Sequence, residues 1–141
     1  PLHTSSADAT LALLAGGEGS RMGKPKGDLR VNGVPLAEHV WRRASWPGPT
    51  LLVTAPGREH PPGAGVFGRE VTDPESRGGP LRGILTALEN ATTPLLLTAA
   101  LDMPRMAKPQ YDWLVEQLRV APDAAGLLCR RGGEIEPLPC V

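Results

Sequence analysis

The chain has 141 residues, with 15 Lys and Arg against 15 Asp and Glu. That length builds one domain with a real core, and the balanced charge removes any global electrostatic case for nucleic acid or an anionic membrane as a partner. Two cysteines, Cys129 and Cys140, make neither a disulfide framework nor a zinc ligand set and fit a reduced, cytoplasmic setting.

The 17 glycines and 16 prolines stop just short of a disorder-like composition, so the apolar runs between them predict ordered elements joined by many loops. Residues 1–7 lack the basic and apolar regions of a signal peptide. The longest apolar run, 94–101, is far too short to span a membrane. A first strand is predicted over 10–14, and it breaks into Ala15-Gly16-Gly17-Glu18-Gly19-Ser20-Arg21-Met22-Gly23-Lys24-Pro25-Lys26. Glycine permits positive φ and lets backbone N–H groups approach an anion closely. Arg21 and Lys26 add charge for phosphate oxygens, so the loop reads as a cradle for a nucleoside triphosphate. It is not a Walker A loop: five residues separate Gly17 from Gly23, and Pro25 stands where Ser or Thr is needed. The dinucleotide fingerprint fails as well, because its third glycine position is Met22.

Further along, 28–31 reads as a short extended piece followed by an Asn32-Gly33 turn. Pro35 opens a helix running to about residue 45, with Leu36, Val40, Trp41 and Ala44 at helical spacing. Trp46-Pro47-Gly48-Pro49 stops it, and a second strand follows over 50–55. Residues 56–68 read as loop, and 70–72 as a short strand leading into Asp73-Pro74. Pro80 opens a helix to about residue 90, with Leu81, Ile84, Leu85 and Leu88 on one face. A third strong strand, 95–101, stops abruptly at Asp102-Met103-Pro104. The helix opened by Pro109 carries Trp113, Leu114, Gln117 and Leu118. A strand over 124–129, a turn over 130–133 and an extended tail over 135–141 finish the chain. Trp41 and Trp113 are expected in the core. His3, His39 and His60 are expected at the surface, and Cys129 as a small packed residue rather than a nucleophile.

Continuous apolar strands alternating with amphipathic helices predict an α/β fold: a three-layer α/β/α, Rossmann-like domain with a mostly parallel sheet. Ligands bind such sheets at the carboxyl ends of the strands. The glycine loop and Asp102 both fall at such ends.

Leu14-Ala15-Gly16-Gly17-x-x-x-Arg21-Met22-Gly23-x-x-Lys26 resembles the signature of the MobA-like nucleotidyltransferases, nearest their molybdenum cofactor guanylyltransferase branch. Val31-Asn32-Gly33-x-Pro35-Leu36, Gly79-Pro80-Leu81-x-Gly83-Ile84 and Asp102-Met103-Pro104 agree in order, and Glu136-Pro137-Leu138 resembles the family's Pro-Leu stretch. The resemblance implies a single nucleotidyltransferase domain over 1–141, expected to lack a C-terminal segment.

The implied reaction moves GMP from GTP to molybdopterin cofactor with Mg²⁺, releasing pyrophosphate. Leu14, Ala15, Gly16 and Gly17 would meet the nucleotide, and Arg21 and Lys26 would be catalytic through phosphate charge. Thr54 and Asp73 would contact the nucleotide, and Asp102 both the nucleotide and Mg²⁺. Thr54 stands where that branch often carries Asn, and Pro25 where it often carries Asp; the Pro-Lys form is more usual in cytidylyl and sugar-nucleotide relatives. The resemblance therefore leaves open a CTP-using molybdopterin cytidylyltransferase or a sugar-phosphate nucleotidyltransferase. A non-catalytic nucleotide-binding adaptor is the reading from another class. Partners would be GTP, molybdopterin cofactor and molybdoenzyme maturation proteins, with no nucleic acid and no membrane.

Overall fold

The computed structural model describes residues 6–16, 26–75 and 78–141, and the side chains of all of them but 6 and 26. A six-residue apolar strand, β1 (Ala9–Leu14), is buried at every position. Its continuous hydrophobicity has a simple cause: it lies in the middle of the sheet, with a parallel neighbour on each side and helices over both faces. Next come a hairpin of β2 (Arg30–Val31) and β3 (Val34–Pro35), turned by Asn32 and Gly33 at φ 50° and 81°. Helix α1 (Leu36–Ala44) buries Leu36, Ala37, Val40 and Ala44 and ends at Ser45 in the left-handed region. The remaining elements are β4 (Thr50–Thr54), β5 (Arg69–Thr72), α2 (Gly79–Asn90), β6 (Leu95–Ala100), α3 (Lys108–Arg119), β7 (Leu128–Arg131) and β8 (Glu134–Cys140).

The main sheet runs β5-β4-β1-β6-β8-β7. Strands β5, β4, β1 and β6 are mutually parallel, while β8 is antiparallel to both β6 and β7. Helices α1 and α3 cover one face around Leu11, Leu13, Leu52, Leu97 and the fully buried Tyr111. Helix α2 covers the other face, over Ala12, Leu14, Leu51, Val53 and Leu96. This is the expected three-layer α/β/α arrangement. Among the described residues no helix is long and apolar enough to cross a membrane.

Several details differ from the sequence reading. Helix α2 buries Gly83, Thr86 and Ala87, whereas Leu81, Leu85 and Leu88 are 70%, 42% and 56% exposed. Apolar residues surround most of this helix, so periodicity alone does not select a face. Close approach does: a Cβ on Gly83 would come within 3.0 Å of Leu14 Cδ1, so the small side is the one that seats against β1. Trp113 is not core but 57% exposed. The buried stripe of α3 is Tyr111, Leu114, Val115 and Leu118, and Trp113 stands off it. Trp41 is half-buried against the core.

Residues 124–127 are not strand; β7 starts at Leu128, and the turn shrinks to Gly132-Gly133, with φ 55° and 89°. Residues 64–66 form a 3-10 turn inside the expected loop. His60 is exposed and pairs with Glu70 at 3.1 Å, His39 is half-buried rather than at the surface, and His3 lies outside the described residues.

Candidate functional site

The parallel strands end along one edge, and the chain crosses between them there by backbone hydrogen bonds. Ala15 N–H donates to the Val53 carbonyl at 2.8 Å, Leu101 N–H to the Leu14 carbonyl at 3.2 Å, and Asp73 N–H to the Thr54 carbonyl at 2.8 Å. The residues just past β1, β5 and β6 are thereby fixed side by side. They open into a cleft of about 800 Å³, in the place where parallel α/β sheets bind ligands.

The floor is made by Leu14, Gly16, Val53, Ala55 and Ala100, and one wall by the first turn of α2. That turn begins at Gly78 and Gly79, carries Pro80 and has no side-chain cap. Free N–H groups at a helix start favour anions. Met103 and residues 136–138 of β8 complete the lining. Among the described residues, three guanidinium groups, Arg58, Arg82 and Arg131, and four carboxylates, Asp73, Glu75, Asp102 and Glu136, share the cleft.

Two of these carboxylates are placed by identifiable contacts. Thr86, buried on α2, donates its hydroxyl to Asp73 Oδ1, and Asn90 Nδ2 in turn donates to the Thr86 carbonyl at 2.8 Å. Asp73 is therefore tied to α2 by its side chain and to β4 by its backbone. Asp102 opens a loop closed by Met103 N–H to the Ala100 carbonyl at 3.3 Å and by Met106 N–H to the Met103 carbonyl at 3.1 Å. Arg43 of α1 clasps the far end of that loop, reaching the Arg105 carbonyl at 3.2 Å and the Met106 carbonyl at 3.4 Å.

Of the residues expected at a site, the structure brings Leu14, Gly16, Asp73 and Asp102 to one cleft. Ala15 turns away: its side chain packs into the α1/α3 core and its N–H is spent on Val53. Thr54 is also turned away. It is buried, with its hydroxyl against Thr72 Oγ1 at 3.1 Å and the Val71 carbonyl at 3.3 Å, and it serves the cleft only through the carbonyl that holds Asp73. Gly17 and Arg21 lie outside the described residues, as does the side chain of Lys26, whose backbone opens a 3-10 turn over Lys26–Asp28.

Arg58, Arg82, Arg131 and Glu75 were not singled out from the sequence. Arg82 had a signal, since it fills the open position of Gly79-Pro80-Leu81-x-Gly83. Burial pushes the thiols of Cys129 and Cys140 up, away from the thiolate form that a nucleophile needs. No group of three or more His, Cys, Asp or Glu among the described residues is gathered to hold a metal ion.

Comparison with known proteins agrees with this geometry. A molybdenum cofactor guanylyltransferase of Pseudomonas aeruginosa is 36% identical over 132 residues, covering 92% of this chain and 65% of the relative. One from Albidiferax ferrireducens is 38% identical over 102 residues, covering 70% of this chain and 48% of the relative. The chain thus spans about half to two thirds of the length of these curated relatives. The crystal structure of molybdopterin-guanine dinucleotide biosynthesis protein A from Archaeoglobus fulgidus superposes with a TM-score of 0.74 at 24% identity, covering 93% of this chain and 65% of that one. Residues 11–141 match the MobA-like NTP transferase domain, and the chain belongs to that family.

Proposed function

We propose that this domain transfers GMP from GTP to molybdopterin cofactor with Mg²⁺, forming the guanine dinucleotide cofactor and releasing pyrophosphate. The observation that carries this reading is the cleft itself, where Gly16 and Asp102 stand at the ends of adjacent parallel strands. The relatives' names supply the acceptor and the base. A phosphate oxygen of the acceptor attacks the α-phosphorus of GTP; the new P–O bond forms as the α–β bridge breaks, and pyrophosphate leaves with the electron pair. Positioning and charge neutralisation supply most of such catalysis.

In this reading the backbone at Gly16 meets the guanine or its sugar and the glycine loop that follows wraps the phosphates, with Arg21 and Lys26 balancing their charge. Asp73, braced by Thr86, orients the nucleotide. Asp102 is the residue that would hold the metal ion. The donor set fits Mg²⁺, which takes one or two carboxylates and completes its shell with water and substrate phosphates rather than a protein cage. When bound, the ion neutralises charge developing on the phosphate oxygens. Both cysteines are free, in keeping with a cytoplasmic setting, from which the product would pass to molybdoenzyme maturation proteins.

Nucleotide competition tests the assignment. GTP with Mg²⁺ is expected to raise the melting temperature by several degrees, and CTP to leave it unchanged. Protection by CTP alone would move the protein to the cytidylyl relatives, a rival kept open because Thr54 offers no side chain to the cleft.

A further inference from the structure

We infer that Arg82 is a phosphate-binding residue of the cleft, adding a guanidinium on the α2 side to the charge that Arg21 and Lys26 would bring. This rests on the transferase reading for the identity of the substrate, though not for the chemistry recognised. Arg82 stands on the first turn of α2 and lines the cleft. Its Nε is buried and has no hydrogen-bond partner among the described residues. A guanidinium is always charged and presents its donors in a fixed fork suited to phosphate oxygens. Buried donors are normally paired, so an unpaired Nε on a residue that lines a ligand cleft points to a partner that arrives with the ligand.

Carboxylates could have satisfied it, since Asp73, Glu75, Asp102 and Glu136 share the cleft. Among the described residues none is paired with it, and Asp73 is instead bonded to Thr86 one turn further along the same helix. The backbone is also shaped around this side chain. Gly78 sits at φ 150°, and a Cβ there would lie 2.6 Å from Arg82 Cβ and 3.2 Å from Cγ, so only glycine lets the Arg82 stem lie against the turn. The stem is held, while Nε is left without an acceptor among the described residues.

Two substrates carry the required phosphate: the nucleotide, through the pyrophosphate that leaves, and the acceptor. Calorimetric titration with inorganic pyrophosphate and with GTP, together with the KM for each substrate, separates them in the Arg82→Gln variant. A loss of tenfold or more in pyrophosphate and GTP affinity supports contact with the triphosphate. Unchanged nucleotide affinity with a tenfold rise in the acceptor KM supports contact with the acceptor phosphate. Wild-type affinities and KM values throughout would overturn the assignment.

Arg82→Lys keeps the charge and the stem but lacks the fork, and is expected to lose severalfold in the same titration. Should Arg82→Gln fail to fold, an Arg82→Lys protein indistinguishable from wild type overturns the proposal. The two readings fail separately. A wild-type protein that binds pyrophosphate through Arg82, yet releases none from GTP and the cofactor, keeps the phosphate site and loses the guanylyl transfer.

Discussion

The two faces of the sheet are built for different work. On one, α1 and α3 press large side chains into a dry layer: Leu36, Val40, Tyr111, Leu114 and Val115 against Leu11, Leu13, Leu52 and Leu97. Tyr111 is so enclosed that burial pushes its hydroxyl pKa up to about 12. On the other face a single helix, α2, meets the sheet through Gly83, Thr86 and Ala87 and leaves its leucines outside. That thin contact brings α2 close enough for Thr86 to brace Asp73 and for Arg82 to reach the cleft. Large side chains give stability at one layer; small ones give geometry at the other.

The largest expected difference comes from Leu13→Ala. Leu13 is fully buried on the α1/α3 face, and truncating such a leucine costs about 2–5 kcal/mol. Chemical denaturation should show that loss, while nucleotide affinity of the folded fraction stays unchanged. Thr86→Val comes next. It keeps the shape and removes the hydroxyl that holds Asp73, so a stability loss of about 1 kcal/mol is expected. GTP titration should meanwhile show a severalfold weaker affinity. Equal affinity would mean that Asp73 needs no brace. Leu88→Ser should be the smallest, within about 0.5 kcal/mol by the same denaturation, because more than half of the residue is solvated. A loss of 2 kcal/mol or more there would show that the outer side of α2 is covered, and the contrast between the faces would fail.

Where the sequence was readable, a single physical signal dominated. β1 and β6 are continuous apolar runs because they are buried on both faces, and the breaks after them mark the cleft. The glycine run and Asp102 could be placed at strand ends for that reason. Where two signals competed, reading stopped short. α2 is apolar almost all round, and its seating was decided by the room at Gly83 beside Leu14, which no periodicity records. Residues 135–141 read as an extended tail rather than a paired strand because Pro137 and Pro139 cannot donate to a ladder. β8 is a strand all the same. Its pairing with β7 shifts register between Cys129↔Glu136 and Leu128↔Cys140, and β6 meets it only at Thr98↔Cys140, so both prolines fall where no donor is required. Thr54 was legible as a strand end but not in its direction: its hydroxyl is held by β5, and the neighbours Val53 and Ala55 reach the cleft in its place.

Pyrophosphate release from GTP, measured with molybdopterin cofactor and Mg²⁺ in the wild-type protein and in Asp102→Ala, reads out the proposed transfer itself. One pyrophosphate per guanine dinucleotide is expected from the wild type, and a rate lowered about a hundredfold or more in Asp102→Ala, with its melting temperature preserved. No pyrophosphate from the wild type, or an Asp102→Ala protein as fast as wild type, would contradict it.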